Sequence, residues 1–419
     1  MQVDTDVVIV GAGLSGLSAA IHLRELGVDS HIVEASDGVG GRLRSDVVDG
    51  FTFDRGFSVH NPAYPEARAL LDHELLDIRS FEPGVAYRTE TGLQYLAHPR
   101  AGWRGLRRSI GAARLHPRAA AAFAAYAVGC AALSHDALMR RPRISARAAL
   151  RQAGVDAAGM RALVLPFLQG VLLEAQLETS RRVVDEILVS FVKGTPGVPA
   201  LGMQAIAAQL VARVPSDALS LNSRVDSLQL RDDGVTARGD GFEVRARKAI
   251  LAVSHDVVPT LLPDIEPRRS RAVTTYYHRS TTPGHELLDG RAWVLTDMLR
   301  RTPIANSIVL TNAAPSYAPS GETLVSTSVL GLHREIGPEA IRKHLSYIYG
   351  VDASTWEELA RYEIAHALPE FTASTPDVFT QPRRHVWLAG DYCDSPSING
   401  ALRSGRTAAQ SAHTWLKGS

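Results

Sequence analysis

Cysteine is nearly absent from this 419-residue chain: Cys130 and Cys393 are the only two, and they form neither a CxxC pair nor a zinc-ligand spacing. That argues against a disulfide scaffold and a cysteine-built metal centre, and it fits a reducing, cytoplasmic setting. No metal is expected. Lysine is scarce as well: Lys193, Lys248, Lys343 and Lys417 are the only lysines among 45 Lys+Arg residues. With the abundance of alanine, this arginine bias reads as codon usage. An excess of one charge sign is also lacking, since 45 basic residues face 44 acidic ones. A nucleic-acid partner held by a bulk basic field is thereby disfavoured. Long apolar runs are missing too. The longest weakly polar stretch, residues 119–133, is 15 residues of mostly alanine, short of the ~20 that a membrane span needs, and is expected to be a buried helix. The start carries Asp4 and Asp6 where a leader would be basic, and its apolar residues 7–10 are too few for a signal peptide.

What is present is concentrated at the two ends. The chain is 45% hydrophobic, enough for two or three cores of ordinary size. Residues 6–10 (DVVIV) read as a strand buried on both faces. Gly11-Ala-Gly13-Leu14-Ser15-Gly16 follows at once, and Leu17, Ala20, Ile21 and Leu23 continue a helical apolar face to Gly27. Residues 30–34 (SHIVE) form the next strand, so GxGxxG sits in a βαβ unit, the setting that gives the pattern its meaning. Gly11 permits the tight turn, Gly13 the approach of a pyrophosphate, and Gly16 the packing of helix on strand. The helix N-terminus offers free N–H groups to the phosphates. Glu34, 18 residues beyond Gly16, can accept the ribose hydroxyls and repels a 2′-phosphate. The ligand is then FAD or NAD, not NADP.

Gly38-Val-Gly40-Gly41-Arg42 follows the ribose acid and Ala35. A second glycine pair with an arginine is unusual in NAD enzymes, and can bring a fixed cation to the pyrophosphate. Residues 51–58 (FTFDRGFS) then give an alternating strand broken at Gly56. Together GAGLSG, VEASDGVGGRLRS and FDRGFS resemble the N-terminal signature of the flavin amine oxidase, phytoene desaturase and protoporphyrinogen oxidase superfamily. The resemblance implies FAD, with Gly40, Gly41 and Arg42 clasping its pyrophosphate and ribityl region and Gly56, Phe57 and Ser58 lying against the isoalloxazine.

The far end agrees. Residues 385–391 (HVWLAGD) are an apolar strand ending in Gly390-Asp391, and residues 397–405 (SINGALRSG) open a helix. This resembles the second family signature, in which the aspartate holds the ribityl–pyrophosphate segment and the N–H groups around Ile398, Asn399, Gly400 and Ala401 face the flavin pyrimidine. Between the ends, residues 202–210 (GMQAIAAQL) are similar to a family helix. Residues 221–228 resemble the strand whose valine, here Val225, pairs with the adenine, and residues 247–253 the strand returning to the dinucleotide at Val253. The implied fold is α/β: a Rossmann-like FAD domain of the glutathione-reductase/amine-oxidase type, interleaved with an α+β substrate domain. The FAD domain is assigned to 1–60, 195–270 and 380–419, the substrate domain to 61–194 and 271–379. Alanine and leucine favour helices over 119–190. Residues 323–329 and 362–366 alternate as strands of an antiparallel floor.

Further absences narrow the chemistry. A second GxGxxG and a CxxxxC pair are both missing, so electrons should reach the flavin from an organic substrate and leave to dioxygen, a quinone or another acceptor. Lysine is missing between Lys248 and Lys343, where many amine-oxidising relatives carry one near flavin N5; this weakens an amine-oxidase assignment. Cys393 lies outside any covalent-flavin motif, so FAD should be held non-covalently. From Thr91 to His135 no acid occurs, while Arg100, Arg104, Arg107, Arg108, Arg114 and Arg118 accompany Trp103. A solvated helix face and a peripheral membrane contact both account for that segment, the first being favoured. Residues 362–371 resemble a family strand that ends in a proline near the flavin. A period of two puts Tyr362, Ile364 and His366 on one face, which makes His366 the candidate base or orienting donor. Tyr276, Tyr277 and His278 are further wall candidates, Tyr276 and Tyr362 being assigned to substrate contact. The expected activity is hydride transfer from a small, apolar, isoprenoid-like substrate to flavin, as in desaturases. An amine oxidase, and an FAD-binding isomerase or non-catalytic partner, are the alternatives. The oligomeric state is left open.

Overall fold

The first strand, β1 (Gln2–Val10), buries Val7, Val8, Ile9 and Val10 completely or nearly so. A strand apolar on both faces belongs inside a sheet covered on both sides. The computed structural model, which describes residues 2–90, 92–97, 116–297, 301–333, 335–377 and 380–418, places it there. It pairs in parallel with β2 (Ser30–Val33) on one side and with Phe242–Leu251 on the other. Leu219–Ser220 extends the sheet beyond β2, and Val386–Leu388 pairs with Phe242–Leu251, both in parallel. Ser227–Leu230 and Val235–Gly239 add an antiparallel margin. All parallel strands therefore end at one edge, the edge at which open α/β sheets take ligands.

The helix α1 (Leu14–Glu25) lies between this sheet and the terminal helix Ile398–Lys417. Leu17, Ala19, Ile21 and Leu23 are buried along it. Both contacts depend on glycine. A Cβ on Gly16 would stand 2.0 Å from the Gly11 carbonyl oxygen, and one on Gly405 2.2 Å from that of Ser15. At this crossing the Ser18 hydroxyl donates to the Leu402 carbonyl at 2.8 Å.

A second sheet runs in the order Glu357–Pro369, Ser270–Arg279, Leu324–Leu330, Ile304–Val309, Val294–Asp297, Gly84–Thr89, Gly92–Ala97. It is antiparallel except where Val294–Asp297 meets Gly84–Thr89. Helices Ala146–Gln152, Leu165–Leu172 and Arg181–Lys193 contribute Leu150, Leu168, Leu172, Val184 and Leu188 to a core that meets Val85 and Tyr87. On Ser270–Arg279 alternate residues part company: Tyr277 faces Phe53 and the parallel-sheet core, whereas Tyr276 packs on the reverse side with Trp293 and Trp356. His278 stacks near Tyr276 on that reverse side, fully buried with neither ring nitrogen paired among the described residues.

The alanine-rich stretch differs from expectation. It forms the helix Pro117–Ala131, of which only Ala119 and Cys130 are buried, while Val128 is 63% exposed. Alanine removes too little apolar area from water to bury a whole helix, so one face turns inward, Ala119, Ala122, Phe123, Tyr126 and Ala127 packing on the core and Cys130 being buried. Of the arginine-rich segment, Arg100, Trp103, Arg104, Arg107, Arg108 and Arg114 lie outside the described residues. No helix of the described residues is long and apolar enough to cross a membrane.

Gly405→Ala should lower stability by about 1–3 kcal/mol, the usual cost of forcing an atom into a packed contact; a denaturation midpoint equal to wild type would show that the helices can separate freely. Burial lowers the His278 pKa from 6.5 to about 4. The unfolded chain therefore binds the extra proton first, and stability should fall as pH drops from about 6.5 to 4, by at most roughly 3 kcal/mol from this group. In His278→Leu the acid-side slope of the denaturant midpoint should flatten over that window, an unchanged slope counting against the assignment.

Candidate active site

Gly11 ends β1 with φ +104°, and a Cβ there would approach the Ala252 carbonyl oxygen at 2.7 Å. Only glycine combines that backbone with that contact. Gly13 is the N-cap of α1; among the described residues no side chain caps the helix, and a Cβ on Gly13 would meet nothing within 4 Å. The first-turn N–H groups are thus left without a side-chain acceptor there, as an anion site requires. Leu14, Ser15 and Gly16 are buried in the first turn. Gly41 crosses above, a Cβ on it falling 3.5 Å from the Gly13 Cα.

Glu34 follows β2. Its Oε2 accepts from the Ala12 N–H at 2.7 Å, and its Oε1 from the Ser36 N–H at 2.9 Å and hydroxyl at 2.7 Å. The carboxylate thus borders the glycine loop at the strand end. Ala35 is exposed beside it. The backbone of Glu34 is tied to Ser220 and Ser223. Val225, expected in a strand, instead lies in the extended link between Leu219–Ser220 and Ser227–Leu230, partly buried beside the sheet. Positive φ at Asn222 (+52°) turns the chain out of the strand before Val225 is reached.

The opposite end of the chain closes on the same place. Arg42 donates from Nη2 to Asp391 Oδ1 at 2.6 Å, and from Nη1 to the Ala367 carbonyl at 2.8 Å. Asp391 is buried, while the Arg42 side chain remains 41% exposed. One guanidinium therefore links the second glycine motif, the C-terminal motif and the outer strand of the second sheet. Val253 lies next to Ala252, against Gly11. Gly390 N–H donates to the Ser404 hydroxyl at 3.0 Å. The helix start at 398–401 departs from expectation. Ser397 caps it by accepting from the Gly400 N–H at 3.0 Å, and the Ala401 N–H bonds the Ser397 carbonyl. Ile398 and Asn399 remain as the donors at the helix tip, and the Asn399 Oδ1 accepts from the Glu66 N–H at 3.1 Å.

After the strand Phe51–Asp54, the loop 55–58 docks on the second sheet. A Cβ on Gly56 would fall 2.5 Å from Ile364 Cδ1, and the Phe57 N–H points at the Thr275 hydroxyl at 3.3 Å. Phe57 stacks near Phe81, and Ser58 is half-buried beside it. Asp54 is buried yet surrounded by donors: Ser45 Oγ at 2.6 Å, Met203 N at 2.9 Å and Tyr317 Oη at 3.0 Å. Burial still raises its pKa, the donors opposing the rise. Tyr277 donates to the Asp54 carbonyl at 2.8 Å, and Tyr362 to Asp46 Oδ2 at 2.8 Å, Asp46 being held also by Arg55.

His366 does not share this face. Opposite Ala272, between the pairs Val273–Ile364 and Arg271–Leu368, the outer strand inserts extra residues. A bulge of this kind breaks the period of two and re-aims a side chain. Tyr362 and Ile364 keep to the Gly56 side, while His366 turns, half-exposed, to Ser270 and Asp256. Tyr276, on the reverse side of its strand, is apart from both. Sequence patterns missed His255, Asp256 and Ser270 here, although polar residues just past a parallel strand are a usable signal. The Asp54 cluster had none, since its partners come from distant segments.

A glycine cradle at a helix tip, a bordering carboxylate and a cation clasped from the other chain end define the class: a dinucleotide-binding enzyme of the open α/β type, and the uncapped tip over open space fits a flavin dinucleotide. The chain belongs to the flavin-containing amine oxidoreductase family, whose model matches residues 14–413, and it is a flavin-dependent oxidoreductase acting on a small molecule. It is 26% identical to hydroxysqualene dehydroxylase of Rhodopseudomonas palustris over 96% of both chains. A shorter stretch, 44% identical over 66 residues, matches protoporphyrinogen oxidase 2 of Arabidopsis thaliana, 16% of this chain and 13% of that protein. Among solved structures, a triple mutant of putrescine oxidase superposes with TM-score 0.73 at 19% identity over 100% of both chains. The shared fold is thereby shown.

Glu34→Ala should weaken flavin retention by roughly 10- to 100-fold, the worth of one or two hydrogen bonds to a charged group. Equilibrium dialysis giving the wild-type dissociation constant would remove Glu34 from the ribose contact.

Proposed function

We propose that the chain binds FAD non-covalently and oxidises an apolar, isoprenoid-like substrate by desaturation, passing electrons on to dioxygen or a quinone. In this proposal residues 1–60, 195–270 and 380–419 hold the cofactor, and 61–194 with 271–379 form the substrate portion. The observation that carries it is the state of the carboxylates where the two sheets meet. Asp54 is taken up by Ser45, Met203 and Tyr317, Asp46 by Arg55 and Tyr362, and Asp391 by Arg42. An ammonium brought there would find each anion already partnered, whereas Phe57 and Ile364, both partly exposed, offer apolar surface. Desolvating a charge without a partner is costly; desolvating a hydrocarbon is favourable.

When bound, a flavin supplies the acceptor for a hydride from substrate carbon. The chain supplies the rest. The tip of α1 and Arg42 bind the phosphates, Glu34 the ribose, and Asp391 the polyol, while Ile398 and Asn399 present donors at the helix tip. The Gly56–Ile364 and Phe57–Phe81 contacts exclude water, with Tyr362 as a wall. Non-covalent binding is supported by Cys393, whose thiol burial pushes up to about 12, leaving no thiolate to attack a ring.

Amine oxidation is the second reading. Tyr277 and Tyr362 meet edge to face with centroids 6.1 Å apart, and an aromatic pair can receive a cation. Anaerobic mixing of the flavin-loaded protein with amines, acyclic isoprenoids and porphyrinogens separates the cases. Bleaching of the flavin band by an isoprenoid alone is expected; bleaching by an amine alone overturns desaturation in favour of the second reading. Flavin reduction without net turnover would point to an isomerase or a non-catalytic partner.

A further inference from the structure

The loop that follows the strand Phe242–Leu251 carries a cluster that binding of a dinucleotide leaves unused. His255 is 4% exposed. Its Nε2 lies 2.6 Å from the Ser270 hydroxyl, which lies 3.1 Å from His366 Nδ1. His366 Nε2 in turn faces Asp256 Oδ2 at 3.6 Å, and the other Asp256 oxygen accepts from Ser254. The two ends differ in kind. The His366 side chain is 47% exposed. His255 Nδ1 is buried with no partner among the described residues, and its ring packs on Tyr392, next to the Arg42–Asp391 pair. A buried, unpaired ring nitrogen is costly unless something else uses it.

We propose that His255, Ser270 and His366 form a proton relay between the flavin cleft and solvent, with Asp256 holding the outer imidazole. It rests on the desaturation reading for the source of the proton. Making a C=C bond removes two electrons and two hydrogens, one as hydride and one as a proton that must leave. A proton taken up at His255 Nδ1 releases the Nε2 proton to Ser270 Oγ. The serine hydroxyl passes its own proton to His366 Nδ1, and the His366 Nε2 proton goes to water. One proton enters and one leaves, and no electron moves.

The charges around His255 are Asp256, Asp391, His366 and Arg42. Burial lowers its pKa despite the two carboxylates, so the ring is neutral at pH 7 and free to accept. Ser270 is a positioning residue here, acting through the imidazoles on either side.

The test uses the full flavin-loaded chain without substrate. Ring-nitrogen NMR should show His255 Nε2 and His366 Nδ1 each hydrogen-bonded to the hydroxyl between them. Ser270→Ala should shift both ring-nitrogen signals, and Ser270→Thr should restore them. With a reducing substrate, Ser270→Ala should slow flavin reduction by about a hundredfold, the lower end of what a placed proton acceptor contributes. The pH profile should change and KM should not, with recovery in Ser270→Thr. A Ser270→Ala variant in which either ring keeps its wild-type nitrogen signal would overturn the relay, as would one with the wild-type reduction rate and pH profile. A response of both rings to Ser270→Ala alongside failure of every isoprenoid to bleach the flavin would retain the relay and discard desaturation instead.

Discussion

Everything in the site depends on how closely three layers stack at the N-terminus of α1. Gly11 lets the loop press on the Ala252 carbonyl, Gly16 lets the helix press on that loop, and Gly405 lets the terminal helix press on Ser15. Any side chain larger than hydrogen at the last two positions would meet backbone atoms, which cannot swing aside as a flexible side chain can. The stack sets the distance between the two chain ends, and so the width of the cleft in which a dinucleotide can lie lengthwise.

Within that frame the Arg42–Asp391 pair has a geometric more than an energetic role. Arg42 is too exposed for the pair to add much stability. Its planar fork nonetheless reaches a carboxylate from the C-terminal motif and a carbonyl from the second sheet at once. Through it, the orientation of the outer strand Glu357–Pro369 is referred to the same point as the glycine loop.

The polar groups near the second sheet fall into two sets. Asp54, Tyr277, Tyr317 and Ser45 satisfy one another in a buried knot that ties the two-stranded sheet of Ser45–Val48 and Phe51–Asp54 to the second sheet. Such a knot specifies a unique packing and leaves little capacity for binding. His255, Ser270 and His366 form an open-ended chain, buried at one end and wet at the other. The bulge at Ala272 separates the two sets by turning His366 away from the strand face that Tyr362 and Ile364 occupy.

Much of the cofactor half was legible in the amino-acid sequence because its signals are local. A glycine that must make a turn, a carboxylate at a strand end and an arginine after a glycine pair each declare themselves within a few residues. The family resemblance at both ends rested on the same short segments. Elsewhere the reading lost resolution: a positive φ at Asn222 took Val225 out of the strand, the Gly400 and Ala401 N–H groups went to Ser397, the bulge turned His366 from the face that alternation assigned it, and Tyr276, expected at the substrate, lies on the reverse side of its strand. The sequence by itself determined the class of enzyme and the cradle for its cofactor, since those rest on backbone conformations only certain residues allow. Tertiary structure alone decided which side chains share a face and which pair with each other, because extra residues in one strand, or a partner hundreds of positions away, redirect a side chain without any local mark.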